Sequence, residues 1–253
     1  PCKRGLPAYL LPDKTVLSRA GGVAVCLALE KTLPKGGKGM QMYIFDLDGT
    51  ITDTNSLWRE VDAEFLGKRG FSPTPEYEKA VGSSIFPAAA QYTKDAYCLP
   101  DTVEDIMAEW ERLAERHYRE LAPLKPGVWE FLHQCKRQGL PMALFTACRP
   151  ALCRAALDRF SLWELFDHVV FAEEIGLEKR DPKCFARLGE VLGMPLRGCV
   201  LFDDSVENCS AAARAGMDTV GVYDPYYAHR QAELKKVCGR YIRSFEELLC
   251  KTG

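Results

Sequence analysis

The 253-residue sequence has no Cys-x-x-Cys pair, although it holds 11 cysteines. Odd in number and scattered, they make neither a disulfide framework nor a structural zinc site, and they imply reduced thiols in a cytosol. Long hydrophobic runs are also missing. The longest wholly apolar stretch near the N-terminus, Val23 to Leu29, falls far short of the roughly 20 residues of a membrane span, and no convincing signal-peptide cleavage site accompanies it. Nor is there a surplus of charge: 33 Lys+Arg stand against 35 Asp+Glu, for a formal charge of -2, which gives nucleic acid or anionic lipid no general attraction. These absences lead to the expectation of a soluble, cytoplasmic protein that binds neither nucleic acid nor membrane and must catch any anionic ligand locally.

What is present is a globular composition, 47% hydrophobic and 27% charged, in a chain long enough for a large domain with a smaller companion. Residues 1–40 differ from the rest, with scattered Pro and Gly ending in Lys35-Gly36-Gly37-Lys38-Gly39-Met40. A phosphate loop needs Ser or Thr after its Gly-Lys pair, and Gly39 stands there instead. Purine-rich Lys and Gly codons just before a Met are what a bacterial ribosome-binding site gives when translated in frame, so residues 1–40 are expected to be an atypical extension, with Met40 or Met42 as the start.

From Met42 onward short apolar runs alternate with helical stretches. Met42-Tyr43-Ile44-Phe45, Met142 to Phe145, Val169 to Phe171, Val200 to Phe202 and Thr219 to Val222 have the continuous hydrophobicity of strands buried on both faces. Strands alternating with helices imply a parallel sheet covered on both sides. A helix is expected from about Pro126 to Arg137, with Val128, Phe131, Leu132 and Cys135 on one stripe and Gly139 just past its end. Residues 54–123 lack a comparable strand but carry Val103, Ile106, Met107, Trp110, Leu113, Ala114 and Leu121 at helical spacing. The fold class is therefore α/β: a three-layer core, a parallel sheet covered by helices on both faces, over 41–53 and 124–253, interrupted by an α-helical cap over 54–123. The basic residues between Arg230 and Arg243 are read as a solvated helix face.

Four elements fall at or just beyond the ends of four of these strands: Asp46 with Asp48, Thr146, Lys179, and Asp203 with Asp204. In an open parallel sheet such ends converge on one crevice. Alone, an Asp-x-Asp is usually a turn, Thr146 fits a helix N-cap before Pro150, and Lys179 is a surface charge. Their order and strand-end placement together point to phosphoryl transfer. Carboxylates from two strands and a backbone carbonyl form a hard oxygen cage suited to Mg2+. With its charge screened, Asp46 becomes a nucleophile toward phosphorus, forming an acyl phosphate. Asp48 protonates the leaving oxygen and then activates water. The Thr146 hydroxyl and the Ala147 N–H hold the transferring oxygens, and Lys179 offsets the concentrated negative charge.

Phe45-Asp46-Leu47-Asp48-Gly49-Thr50-Ile51-Thr52-Asp53, Leu144-Phe145-Thr146, Lys179-Arg180-Asp181-Pro182 and Leu201-Phe202-Asp203-Asp204-Ser205, followed by Ala211-Ala212 and Ala215-Gly216-Met217, resemble the four motifs of the haloacid dehalogenase-like superfamily in the correct order. The resemblance covers residues 42 to about 250. Pro123-Leu124-Lys125-Pro126-Gly127-Val128 is similar to the return from cap to core in the branch of phosphoglycolate phosphatase and beta-phosphoglucomutase. The resemblance implies a Rossmann-like core with a mobile helical cap. It also implies metal ligation by Asp46, the Asp48 carbonyl and Asp204, with Asp203 next in line. Asn208 is then either a support for the metal shell or a helix cap. Arg180 and Lys183 depart from the usual third motif, so Lys183 stands as an alternative to Lys179.

Within that family, dehalogenases lack the second Asp, and phosphonatases replace it, so Asp48 directs the expectation to phosphate esters. Sugar phosphomutases carry a cap-hinge His where Trp58 stands here, and Trp58 cannot move a proton. The expected activity is therefore Mg2+-dependent hydrolysis of a small phosphorylated metabolite, a sugar phosphate or phosphoglycolate-like compound. A phosphomutase is the alternative within the fold, and a non-catalytic phosphometabolite-binding regulator the alternative of another class. Trp58, Arg59, Lys68, Arg69 and Tyr92 are specificity candidates whose ordinary role is cap packing. His117 and His133 are expected on helix surfaces, and Cys148 as a packing residue.

Overall fold

The computed structural model describes residues 42–82 and 86–249. The atypical extension expected over 1–40 lies outside the described residues. Six strands form one parallel sheet: β1 (Tyr43–Phe45), β2 (Met142–Thr146), β3 (His168–Phe171), β4 (Val200–Asp203), β5 (Asp218–Val222) and β6 (Arg240–Ile242), in the order β3-β2-β1-β4-β5-β6. β1, β2 and β4 are buried along their whole length, so their backbone groups must be satisfied by neighbouring strands. The chain builds outward from β1 to β2 and β3, then returns to β4 on the other side of β1. That reversal opens a crevice beyond the carboxyl ends of β1 and β4.

Alternation along the strands separates two apolar layers. Tyr43 and Phe45 point to one side, where Phe131, Phe202 and Phe245 meet them; Phe45 and Phe202 stack with centroids 4.7 Å apart. Ile44, Ala143, Phe145 and Leu201 point to the other, against Phe185, Leu188, Ala211 and Ala212. Phe131 belongs to helix α5 (Val128–Arg137), while the opposite layer is closed by α8 (Pro182–Leu192) and α9 (Val206–Arg214). The result is the α/β/α sandwich that the strand pattern demanded.

The chain divides into two compact units. One contains the described residues up to Ile51, Lys125–Ala147 and the chain from Trp163 onward; the other contains Thr52–Leu124 and Cys148–Leu162. The second unit is helical, with α1 (Leu57–Gly67), α2 (Pro75–Gly82), α3 (Phe86–Ala96), α4 (Val103–Arg116) and α6 (Pro150–Arg159). Helix α4 begins in a capping box between Thr102 and Asp105 and buries Ile106, Trp110, Leu113 and Ala114. Its expected stripe fails at Leu121, which is 52% exposed. The cause is a π-helical turn at His117–Leu121, whose wider winding rotates the following side chains out of the 3.6-residue register. The same turn buries His117, which the sequence pattern had put on a surface.

Two further boundaries differ from expectation. Helix α5 (Val128–Arg137) begins after Gly127, not at Pro126. Gly127 has φ of 74°, and a Cβ there would stand 2.5 Å from the Glu246 backbone nitrogen, so both chirality and space require glycine. Strand β6 was missed because it is a three-residue edge strand, Arg-Tyr-Ile, in which only Ile242 is buried. The basic stretch around it holds the short helix α10 (Gln231–Val237) followed by this strand rather than one solvated helix face.

Candidate active site

Asp46 follows the last residue of β1, and its N–H donates to the Phe202 carbonyl at 2.9 Å. That bond continues the β1–β4 ladder and brings Asp46 beside Asp203, the last residue of β4. A tight turn follows: the N–H groups of Thr50 and Ile51 donate to the Leu47 carbonyl, and Gly49 takes a φ of 77°. The turn keeps Asp48 close enough to Asp46 for their charges to repel. Thr146 ends β2 and is fully buried. It does not cap the following helix, because that N-cap is Arg149.

Lys179 lies in the loop after α7 (Ala172–Ile175) and is buried. Its Nζ donates to Asp46 Oδ1 at 2.6 Å and to Asp203 Oδ2 at 2.8 Å. Lys183, the alternative, is exposed in the first turn of α8, where its backbone N–H is capped by Asp181. Asn208 donates through Nδ2 to both carboxylate oxygens of Asp203, at 3.1 and 3.2 Å, and the Ser205 N–H adds a bond of 2.9 Å to Oδ1. Ser205, not Asn208, caps α9. The helix start therefore performs two tasks: Ser205 closes the turn, and the residue one turn on clamps Asp203.

Asp46, Asp203 and Asp204 each present a ligand atom within 4.8 Å of the others. Among the described residues this is the one group of three His, Cys, Asp or Glu side chains drawn so close. Three buried carboxylates face a single buried ammonium, which leaves negative charge that a low-dielectric site holds only at a cost. Burial pushes the Asp46 carboxyl up, and the charges of Asp203 and Asp48 push the same way; Lys179 opposes them. An arrangement of hard oxygen donors with excess negative charge fits a divalent cation such as Mg2+. Beside it opens a groove of about 680 Å³, lined by Ala147, Lys179, Arg180, Ser205 and Asn208.

The sequence pattern passed over one buried pair. Lys125 donates to Asp224 Oδ2 at 2.5 Å, and both side chains are almost wholly enclosed. Asp224 and Asp204 line one small cavity of about 100 Å³. The available signal was Asp224 itself, a further acid just past a strand end.

The charged specificity candidates in the helical unit are paired with acids of that same unit. Arg69 pairs with Asp101 at 2.7 Å and Glu109 at 2.8 Å, Lys68 with Glu64 and Glu109, and Arg59 with Glu78. Trp58 and Tyr92 are exposed, with Trp58 edge-on to Phe86. His133 bonds the Trp129 carbonyl on its own helix, and Cys148 is buried.

Residues 40–216 match the family model of the haloacid dehalogenase-like hydrolases. Hexitol phosphatase B of Escherichia coli is 29% identical over 188 residues, covering 72% of this chain and 83% of that protein. A phosphorylated carbohydrates phosphatase of Thermotoga maritima is 26% identical over 181 residues, covering 72% and 84%. Among solved structures, a Thermotoga maritima protein assigned to the beta-phosphoglucomutases superposes with a TM-score of 0.73 at 25% identity, covering 83% of this chain and 97% of its own. No helix among the described residues is long and apolar enough to cross a membrane.

Proposed function

This chain belongs to the haloacid dehalogenase-like hydrolase family, and from that membership and the carboxylate cluster we propose that it hydrolyses a phosphorylated sugar or similarly small metabolite with the help of Mg2+. It is a phosphoric monoester hydrolase. The observation that carries the reading is the meeting of Asp46, Asp203 and Asp204 around Lys179, because acids this close serve an anionic substrate only when cations stand between them and it.

Asp46, Asp204, Asp203 and the Asp48 carbonyl would hold the metal, which supplies charge neutralisation for a phosphate approaching a carboxylate. Asp46 then attacks phosphorus through one carboxylate oxygen, and the bond from phosphorus to the substrate alcohol breaks. Asp48 gives its proton to the departing oxygen. In the second half Asp48 takes a proton from water, whose oxygen attacks the aspartyl phosphate and frees both phosphate and Asp46. The Thr146 hydroxyl, the Ala147 N–H and the Lys179 ammonium hold the phosphoryl oxygens. Residues 54–123 serve as the family's cap insertion, which assigns substrate selection to them. The unbridged thiols among the described residues suit a cytoplasmic enzyme.

A phosphomutase is the second reading, favoured by the likeness to the Thermotoga maritima structure. Trp58, unable to transfer protons at the position where sugar phosphomutases carry His, weighs against it. The deciding experiment incubates the protein with an aryl phosphate and with phosphorylated sugars, phosphoglycolate and nucleotides, with and without Mg2+. Release of inorganic phosphate that is lost with chelator and with Asp46→Asn is expected. An isomerised sugar phosphate without phosphate release would establish the mutase, and binding without turnover across the panel would leave only a binding protein.

A further inference from the structure

Two thiols outside the site lie over neighbouring strands behind it. Cys209, buried in α9, donates through Sγ to the backbone carbonyl of Asp203 at 3.6 Å. Cys238, half-buried at the C-cap of α10, has its Sγ 3.0 Å from where a Cβ on Gly221 would stand. Asp203 and Gly221 are paired residues on the adjacent strands β4 and β5, and neighbouring strands run about 4.8 Å apart. The two sulfurs therefore lie over adjacent points of the sheet, between helices that pack against each other. Gly221 is what makes room: any side chain there would collide with the Cys238 sulfur and with Leu234.

A solitary buried cysteine is a small apolar filler. A pair over neighbouring points of the sheet, one member half-buried and the other enclosed, has the arrangement of an oxidisable thiol and its resolving partner. Cys98, the exposed thiol, has no such partner among the contacts described for it; its Sγ donates to the Asp95 carbonyl.

We propose that Cys209 and Cys238 form a reversible oxidation site that reacts with a hydroperoxide. The Cys238 sulfur attacks one oxygen of hydrogen peroxide, breaking the O–O bond, and becomes a sulfenic acid as one water leaves. The Cys209 sulfur then attacks the Cys238 sulfur; the S–O bond breaks, the hydroxyl leaves with the Cys209 proton as a second water, and a disulfide remains. Two thiols are oxidised and one peroxide is reduced to two waters. The new bond ties α9 to the end of α10, and the S–H that had donated to Asp203 is consumed.

The test treats the full chain with hydrogen peroxide, blocks remaining thiols, and maps disulfides by peptide mass before and after dithiothreitol. The expected product is lighter by two hydrogens and contains a Cys209–Cys238 peptide pair that dithiothreitol separates. Closing this loop is also expected to raise the thermal midpoint by about 5 °C, a gain that reduction removes and that Cys238→Ser never shows. Retention of both thiols, irreversible oxidation of Cys238 without a bond, or a bond joining either cysteine to another one overturns the proposal. The peptide map of the unsubstituted protein decides the matter even if Cys238→Ser does not fold, and it is independent of whether the chain hydrolyses phosphate esters.

Discussion

The Nζ of Lys179 reaches Asp46 Oδ1 across 2.6 Å, joining residues 133 positions apart, and the same ammonium bonds Asp203 at 2.8 Å. One buried cation thus supports two acids from neighbouring strands. Replacing it with methionine keeps the length of the side chain but leaves the carboxylates facing each other. Lys179→Met is expected to lower stability by about 3 kcal/mol in the absence of metal, since breaking a buried pair strands its partners. Turnover of an aryl phosphate should fall by about 100-fold or more. Thermal unfolding in chelator and a phosphate-release assay measure the two effects. A variant as stable and as active as the parent would remove Lys179 from the site.

If the carboxylate cluster holds Mg2+, the metal must stabilise the folded chain, because the unfolded chain does not assemble the three acids. At about 100 times the dissociation constant the gain is roughly 2.7 kcal/mol. A rise in thermal midpoint with Mg2+ is therefore predicted for the parent and not for Asp204→Asn. The measurement needs no substrate. Equal shifts in both proteins would mean that the ion binds elsewhere.

Most of the sheet was legible because buried parallel strands are continuous apolar runs, and Tyr43-Ile44-Phe45 or Val200-Leu201-Phe202 admit few other readings. Strand β6 was not, since an edge strand buries one residue in three and carries no such run. Lys179 and Asp203 were placed in the site by motif order, but their bond depends on a crossover between distant segments that local pattern does not encode. The π-turn at His117–Leu121 was similarly invisible; it inserts a residue into the helical period, and a periodic reading has no means to register that. Asn208 was ambiguous between metal support and cap, and only the position of Ser205 resolves the cap.

Asn208 tests how far the site depends on its supporting bonds. Its amide holds both oxygens of Asp203, and partners of this kind commonly contribute about 10- to 100-fold in metal affinity. Asn208→Ala is expected to weaken Mg2+ activation by about that factor while turnover at saturating Mg2+ recovers most of its value. Titrating activity against Mg2+ separates the two quantities. A fall in turnover that no concentration of Mg2+ restores would make Asn208 part of the chemistry and not a support for Asp203.

Asp62 makes a different kind of prediction, about stability and pH in the helical unit. It is buried in α1, accepts from the Tyr77 hydroxyl at 3.0 Å, and its pKa is pushed up to about 6, chiefly by burial, against the help of that bond. A raised carboxyl pKa means that the folded chain holds a proton that the unfolded chain has released. The stabilisation is complete below the ordinary carboxyl pKa, near 4, and is lost as pH rises from there through about 6. Asp62→Asn keeps an acceptor for Tyr77 and cannot ionise, so it should be the more stable protein at pH 7, by up to about 3 kcal/mol, with the advantage shrinking toward pH 4. Other acids contribute equally to both chains and cancel in the difference. Thermal midpoints of parent and variant compared at intervals from pH 4 to 7 give the answer: curves that diverge with rising pH are expected, and parallel curves would show that Asp62 ionises in the folded chain as it does in the unfolded one.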